Sequence, residues 1–344
     1  MEAATLANLL GLALGLVYGF IANRSGFCFF ASVRALVEHR PNRQLRSFVL
    51  AMITALVGTQ ILVSFGGLNN LHSSVYLATA PNLIIILIGS AVFSLGMVLA
   101  NGCPNRHLVL LGEGNLRSLP VLLVLGVSAY MALKGLFAIP RIQLGEVTRL
   151  DIGARSLVEV LSGLGLPAAQ LISVLILTLV LVVVLLRVGK LSRSNALQSL
   201  DGLVIGGCIA AAWYITGVAG FDEFDPQPPE ALTFTVPVGD SLLYLMTFTG
   251  STLGFITAVI GGVLAGSFMH ALIGRKLQLR GYDGPGHMLR MLLGAMLMGV
   301  GGVTALGCTI GQGLSGFSTL ALGSLVATAG IFVFSYWMLR RRKS

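Results

Sequence analysis

Three of the four cysteines in this sequence lie beside breaks in long apolar stretches, where a side chain could act on a small molecule. The breaks are Gly102-Cys103-Pro104, Gly307-Cys308 and Ser25-Gly26-Phe27-Cys28. A broken helix at membrane depth is tolerated only where it is buried in protein or lines a cavity, and in transporters such breaks surround the substrate. Cys208 instead lies inside an apolar run, where a thiol is usually a small buried hydrophobic group. The other three cysteines are therefore candidates for a transport path.

The chemistry of a buried thiol limits what such a path could carry. A buried thiol is expected to stay neutral, because low-dielectric surroundings disfavour the thiolate, which would also repel an anion. A neutral S–H is a weak donor, which suits a soft sulfur atom better than a hard oxyanion. Oxygens of the same ion could accept hydrogen bonds from N–H groups at the starts of short helices. Since conduction requires loose binding, three spaced thiols predict passage of a small anion with a sulfur end.

Polar residues beside the breaks offer further contacts, and each also has a purely structural interpretation. Arg24 and Arg106 could attract anions or could face lipid headgroups, and the sequence favours neither. Asn101, Asn105 and Gln312 could line a path or satisfy backbone groups freed by the breaks. The spacing of cysteines and histidines does not fit a zinc site, and no nucleotide-binding or nucleophile-elbow motif occurs. We therefore expect neither a metal nor a cofactor.

The elements that must hold these residues are membrane helices. Of the 344 residues, 55% are hydrophobic and 10% are charged, which is typical of an integral membrane protein. Residues 47–105 and 291–339 contain no Asp, Glu, Lys or Arg, and each run is too long for one span. We predict an all-α integral membrane protein with about nine transmembrane helices and four short re-entrant helices.

The predicted spans lie at about 5–22, 47–66, 81–101, 118–138, 167–187, 199–217, 251–273, 288–306 and 318–339. The predicted short segments lie at about 28–37, 104–111, part of 220–248, and 308–316. With the N-terminus outside, 18 of the 22 Lys and Arg residues fall on one side of the membrane, which the positive-inside rule assigns to the cytoplasm. The net charge of +9 therefore reflects topology, and nucleic acid is not an expected partner.

An internal repeat relates the two ends of the chain. Gly11-x3-Gly15 with Ser25-Gly26 aligns with Gly202-x3-Gly206 and Thr216-Gly217, and the segment 96–103 aligns with 301–308. These matches predict one membrane domain, 1–344, that contains two repeats of inverted topology. Repeat one covers about 5–138, a linker span about 167–187, and repeat two about 199–339. In this alignment the two broken-helix cysteines of the repeats are equivalent.

The motifs at the breaks resemble those of the YeeE/YedE sulfur-transport family over nearly the whole chain. The matching segments are Arg24-Ser25-Gly26-Phe27-Cys28, Asn101-Gly102-Cys103-Pro104-x-Arg106 with Gly112-Glu113-Gly114-Asn115, and Gly307-Cys308-Thr309-x-Gly311-x-Gly313. The resemblance implies a bacterial inner-membrane protein that takes up thiosulfate for cysteine synthesis. It also implies an hourglass-shaped fold, an ion relay through the three cysteines, and a cytoplasmic TusA-like sulfur-carrier protein as partner. The positive-inside rule then predicts a periplasmic N-terminus and a cytoplasmic C-terminus.

The candidate substrate-binding residues are therefore Cys28, Cys103, Cys308, Arg106, Asn101, Gly102, Gly307, Thr309 and Gln312. Two alternatives stay open beside thiosulfate uptake. The protein could transport another sulfur or selenium anion. It could also be a membrane sulfurtransferase, in which Cys103 attacks a sulfane sulfur and carries a persulfide. Arg106 and His107 are the nearby groups that could activate such a nucleophile.

Overall fold

The chain folds as an all-helical protein in a computed structural model that describes residues 2–39, 43–78, 80–148, 153–165, 168–187, 193–222, 226–282 and 284–343. Within these ranges no strand occurs, and the β contact found there is an isolated bridge between Ser156 and Ala321. The predicted all-α class is therefore confirmed.

The helices are numbered here in chain order. They are α1 (Glu2–Ser25), α2 (Phe29–Val37), α3 (Arg43–Phe65), α4 (Leu83–Ala100), α5 (Pro104–Gly112), α6 (Ser118–Leu133), α7 (Ala138–Val147), α8 (Leu157–Gly163), α9 (Ala169–Arg187), α10 (Arg193–Tyr214), α11 (Val236–Met246), α12 (Phe255–Ile273), α13 (Pro285–Thr304) and α14 (Leu322–Lys343). A 3-10 turn spans Leu71–Ser73, and π-helical turns span Ile215–Ala219 and Gly311–Gly316.

The described helices include eight segments long and apolar enough to cross a membrane, and α6 with α7, bent by 54°, would make a ninth. Each of the nine predicted spans coincides with one of α1, α3, α4, α6, α9, α10, α12, α13 and α14. Of these predictions, residue 167 at the start of the linker span and residues 223–225 of a short segment lie outside the described residues. The prediction of a multi-pass helical membrane protein is therefore confirmed.

The short predicted segments are also helical. Segment 28–37 contains α2, segment 104–111 contains α5, segment 220–248 contains α11, and segment 308–316 contains a π-helical turn. Their re-entrant character stays a prediction. The region 139–166, for which hydropathy predicts no span, contains all but the first residue of α7 and the whole of α8.

Left-handed backbone produces the break before each of the three cysteines. Asn101 ends α4 with φ of 58°, a conformation that asparagine tolerates better than most residues, and Pro104 then fits the first turn of α5. Gly26 has φ of 64° before Cys28, and Leu306 has φ of 60° before the second long break. The chain thus turns sharply and restarts as a short helix at each cysteine.

Close backbone contacts hold the long helices together. Gly15 of α1 faces the carbonyl oxygen of Val259 in α12, Gly266 of α12 faces that of Leu16 in α1, and a Cβ at either glycine would overlap this oxygen. Small residues are what lets membrane helices approach this closely. Gly202 of α10 lies against the backbone of α3 in the same manner. The close approach of α1 to α12 and of α10 to α3 therefore depends on glycines.

The packing of the helices is reciprocal between the two halves. Helix α1 packs on α12 as α10 packs on α3, α6 packs on α13 as α14 packs on α4, and α4 and α13 pack on each other. Exchanging each helix for its predicted counterpart leaves this set of contacts unchanged. The packing is consistent with the predicted repeat, whose inverted topology stays a prediction.

Candidate functional site

The three cysteines at the breaks come together inside the protein and form what we call the thiol cluster, Cys28, Cys103 and Cys308. All three are buried and none forms a disulfide. Cys28 and Cys103 are close enough to interact with each other, and Thr309, the residue after Cys308, is close enough to interact with Cys103. The residues come from two distant parts of the chain, so the cluster exists only when the two halves pack together.

Each thiol lies at the start of a short helical segment. Cys28 and Cys103 are the N-cap residues of α2 and α5, so their side chains lie beside the first backbone N–H groups of these helices. The sulfur of Cys308 accepts from the N–H of Gly311 at 3.4 Å. Unpaired N–H groups at a helix start favour negative charge. The three sulfur atoms therefore lie where an anion is stabilised.

A loop from the second half of the chain completes the surroundings of Cys308. The N–H of Phe234 donates to the Cys308 sulfur at 3.4 Å, and the hydroxyl of Thr233 lies 3.8 Å from the same atom. Because these N–H groups donate to the lone pairs of the sulfur, its own S–H group points in a different direction. Residues 233 and 234 belong to the predicted short segment 220–248, but no sequence signal linked them to a cysteine 74 residues away.

Tyr18 is a functional candidate that the sequence analysis missed. It lies on α1, is fully buried, and is close enough to all four cysteines, Cys208 included, for direct electrostatic interaction. Its ring packs against Phe234 with 5.5 Å between centroids, and its hydroxyl has no hydrogen-bond partner in the described part of the chain. Buried hydroxyls normally have partners. A polar hydroxyl within the predicted apolar span 5–22 was the available signal.

Two more buried polar groups accompany the thiol cluster. Asn105, in the first turn of α5, is fully buried, and neither atom of its amide has a partner among the described residues. The Thr309 hydroxyl is likewise buried and forms no hydrogen bond within those ranges. Buried amide and hydroxyl groups normally have hydrogen-bond partners, so these two groups are candidates to bind a polar ligand.

The remaining sequence-predicted residues have varied surroundings. Arg106 is half-buried and interacts electrostatically with Cys28. Gly102 is buried beside the His107 ring, and Gly307 lines a cavity described below. Gln312 donates from Nε2 to the carbonyl of Ala305 at 2.6 Å, so its amide holds the loop at the break.

Two cavities flank the thiol cluster at opposite ends of α13. The basic cavity, about 530 Å³, is lined by Phe30, Arg34, Asn101, Arg290 and Arg342 among others. The acidic cavity, about 290 Å³, is lined by Tyr76, Glu230, Thr233, Asp240 and Gly307 among others. Arg290 and Val303 of α13 line one cavity each, and 13 helical residues span about 20 Å. The cluster thus lies between two openings.

Membrane-spanning helices, two cavities and buried polar groups between them define a multi-pass membrane transport protein. The particular family follows from comparison with known proteins. The family model for sulphur transport matches residues 24–337, so this chain belongs to the sulphur-transport (YeeE/YedE) family, and the resemblance noted from its motifs is confirmed.

Two relatives are similar to this chain over most of its length. One, the thiosulfate transporter TsuA of Spirochaeta thermophila, is 25% identical over 337 residues, which are 96% of this chain and 97% of the relative. The other, the thiosulfate transporter TsuA of Escherichia coli, is 27% identical over 321 residues, which are 88% of this chain and 86% of the relative.

Proposed function

We propose that this protein takes up thiosulfate across the bacterial inner membrane, along a path that joins the acidic cavity to the basic cavity through the thiol cluster. The main support for the proposal is that three buried, free thiols at the starts of helices lie together between these two cavities. The names of the two relatives support thiosulfate as the ion.

Both ends of thiosulfate find suitable partners along this path. Its terminal sulfur is soft and accepts weak hydrogen bonds from the S–H groups of Cys308, Cys103 and Cys28 in turn. Its oxygens accept from harder donors, namely the Tyr18 hydroxyl and the Asn105 amide, whose hydrogen-bonding groups have no protein partner in the described structure. The partial positive charge at the starts of α2 and α5 stabilises the dianion while it is out of water. Because each contact is weak, the ion can move on.

The direction of transport follows from the orientation that the basic residues predict. With the N-terminus in the periplasm and the C-terminus in the cytoplasm, the acidic cavity opens outward and the basic cavity opens to the cytoplasm. Thiosulfate released there supplies sulfur for cysteine synthesis, with a TusA-like carrier protein as the expected receiver. Cys308 is then the first thiol that the ion meets, and Cys28 is the last.

Uptake of radiolabelled thiosulfate into cells that lack other thiosulfate importers tests the proposal. Cys103→Ala removes the central S–H, and we expect uptake to fall at least about tenfold, the effect of losing about 1.4 kcal/mol of stabilisation. Cys208→Ala is the matched control, because Cys208 is also buried but lies within α10 rather than at a break. Normal uptake by Cys103→Ala at equal expression would rule out the thiol relay.

The same preparations separate the alternative substrates and the alternative class. An excess of selenite that blocks uptake, with sulfate inert, would move the substrate to a selenium anion. A sulfurtransferase would break the S–S bond of thiosulfate, bind the sulfane sulfur to Cys103 as a persulfide and release sulfite. Intact-mass spectrometry of protein incubated with thiosulfate would then detect one added sulfur atom, whereas a hydrogen-bond relay adds no mass.

A further inference from the structure

The basic cavity contains more positive charge than membrane topology requires. Three arginines from three separate helices line it: Arg34 of α2, Arg290 of α13 and Arg342 of α14. Arg342 is close enough to both of the others for electrostatic repulsion. Basic residues that only contact lipid headgroups can spread apart around the protein, whereas these three converge on one space of about 530 Å³. Such convergence is unfavourable unless an anion occupies the space.

Within the described residues, little of this charge is neutralised. Glu38 pairs with Arg34, with 2.8 Å between Nε and Oε1, and is the carboxylate among the described lining residues. Arg342 donates to the neutral carbonyl of Val98 at 3.4 Å. Arg290 has no ion-pair partner within the described ranges. Among the residues that the structure describes, two guanidinium groups, those of Arg290 and Arg342, therefore have no carboxylate partner, which matches the charge of one divalent anion.

The position of the cavity connects it to the thiol cluster. Phe30, two residues beyond Cys28, and Asn101, two residues before Cys103, both line it. The amide oxygen of Asn101 accepts from Arg34 at 3.5 Å, so the break that positions Cys103 also helps to position a cavity arginine. The arginine-lined cavity thus lies beside the breaks that carry Cys28 and Cys103.

We infer that Arg34, Arg290 and Arg342 form a binding site for divalent oxyanions, distinct from the thiol cluster, in which the ion is held by its charge and oxygens. Guanidinium groups bind oxyanions through paired N–H donors and make no demand for a sulfur end. Sulfate therefore binds in the basic cavity although the thiols do not pass it. In the direction of transport given above, which rests on the proposed function, cytoplasmic sulfate competes there with outgoing thiosulfate.

Direct binding of radiolabelled sulfate to the purified protein in a neutral detergent tests this site without any transport. We expect Arg290→Gln with Arg342→Gln to weaken sulfate binding about tenfold or more. Arg340→Gln is the matched control, because Arg340 lies on the same helix two residues from Arg342 and is not among the cavity-lining residues. Cys103→Ala should bind sulfate normally even where its thiosulfate uptake is lost, so failure of the site and failure of the thiol relay give different results.

Two results would overturn the inference. One is sulfate binding by the double arginine variant that equals that of the wild type, when both melt at the same temperature. The other is loss of sulfate binding in an anionic lipid, because headgroup phosphates share the chemistry of sulfate and would occupy the same arginines. The binding is repeated in nanodiscs of phosphatidylcholine and of phosphatidylglycerol. Equal binding in both supports a site for a free ion, and loss of binding in the anionic lipid would assign the arginines to headgroups.

Discussion

Replacing Tyr18 by Phe removes one oxygen atom and should change transport and stability in opposite directions. The ring can keep its packing against Phe234, so the change is confined to the hydroxyl. That hydroxyl is fully buried and has no protein partner within the described structure. In the proposed path it donates to an oxygen of the passing ion, and this is the interaction that the variant lacks.

The structure sets the size of both effects. A hydrogen bond to a charged group contributes about 1.5–3 kcal/mol, and about 1.4 kcal/mol corresponds to a factor of ten, so we expect uptake efficiency to fall by about 10- to 150-fold. A buried polar group without a partner costs about 1–3 kcal/mol, so the free energy of unfolding should stay constant or rise. A residue with a merely structural role would lose stability and uptake together.

Initial uptake rates and thermal melting of the same purified variant measure these two quantities. Tyr336→Phe is the control, because it also removes a tyrosine hydroxyl, from α14, where the ring stacks on Phe332. Uptake at the wild-type rate by a Tyr18→Phe protein of unchanged or higher stability would refute the assignment. The hydroxyl would then be an unused polar group at the centre of the path.

Two further changes test the packing and the acidic cavity. Gly15→Val places a Cβ against the carbonyl oxygen of Val259 and should lower the melting temperature sharply or prevent assembly. Gly207→Ala is the control, because Gly207 has open space around it, and its melting temperature should not change. Equal melting temperatures of the two variants would contradict the packing. Asp240→Asn removes a negative charge from the acidic cavity. It should speed thiosulfate uptake a few-fold at low salt and less at high salt. A slower rate, or one that does not depend on salt, would contradict entry of the ion through the acidic cavity.

Hydropathy and glycine spacing were sufficient to predict the spans and the breaks. The free energy of transfer into lipid decides which apolar stretches become membrane helices. A Gly-Cys-Pro sequence cannot continue a helix. The positions of α4, α5 and their junction could therefore be predicted from local sequence. The importance of Tyr18 did not follow, because one sequence does not tell which face of α1 points inward. That choice is made by glycine contacts with α12, more than 200 residues away.

The basic cavity shows a second limit of the sequence. Arg34, Arg290 and Arg342 were each explained by the positive-inside rule, which predicts a side of the membrane but no position within it. Only the packing of α2, α13 and α14 shows that the three share one space. The loop that brings Phe234 to Cys308 was equally out of reach, since its contact depends on tertiary structure alone.

The close glycine contacts also determine how the protein can be assembled after synthesis. The face of α1 that carries Gly15 packs on α12, and Asn23 of α1 donates to Ser267, 244 residues further along the chain. At about 5–20 residues per second, the ribosome takes roughly 10 to 50 seconds to make that stretch. During this time the glycine face of α1 lies against lipid or an insertion factor. Helix α1 therefore waits for its packing partner, and this part of the core closes only when α12, in the last third of the chain, has been made.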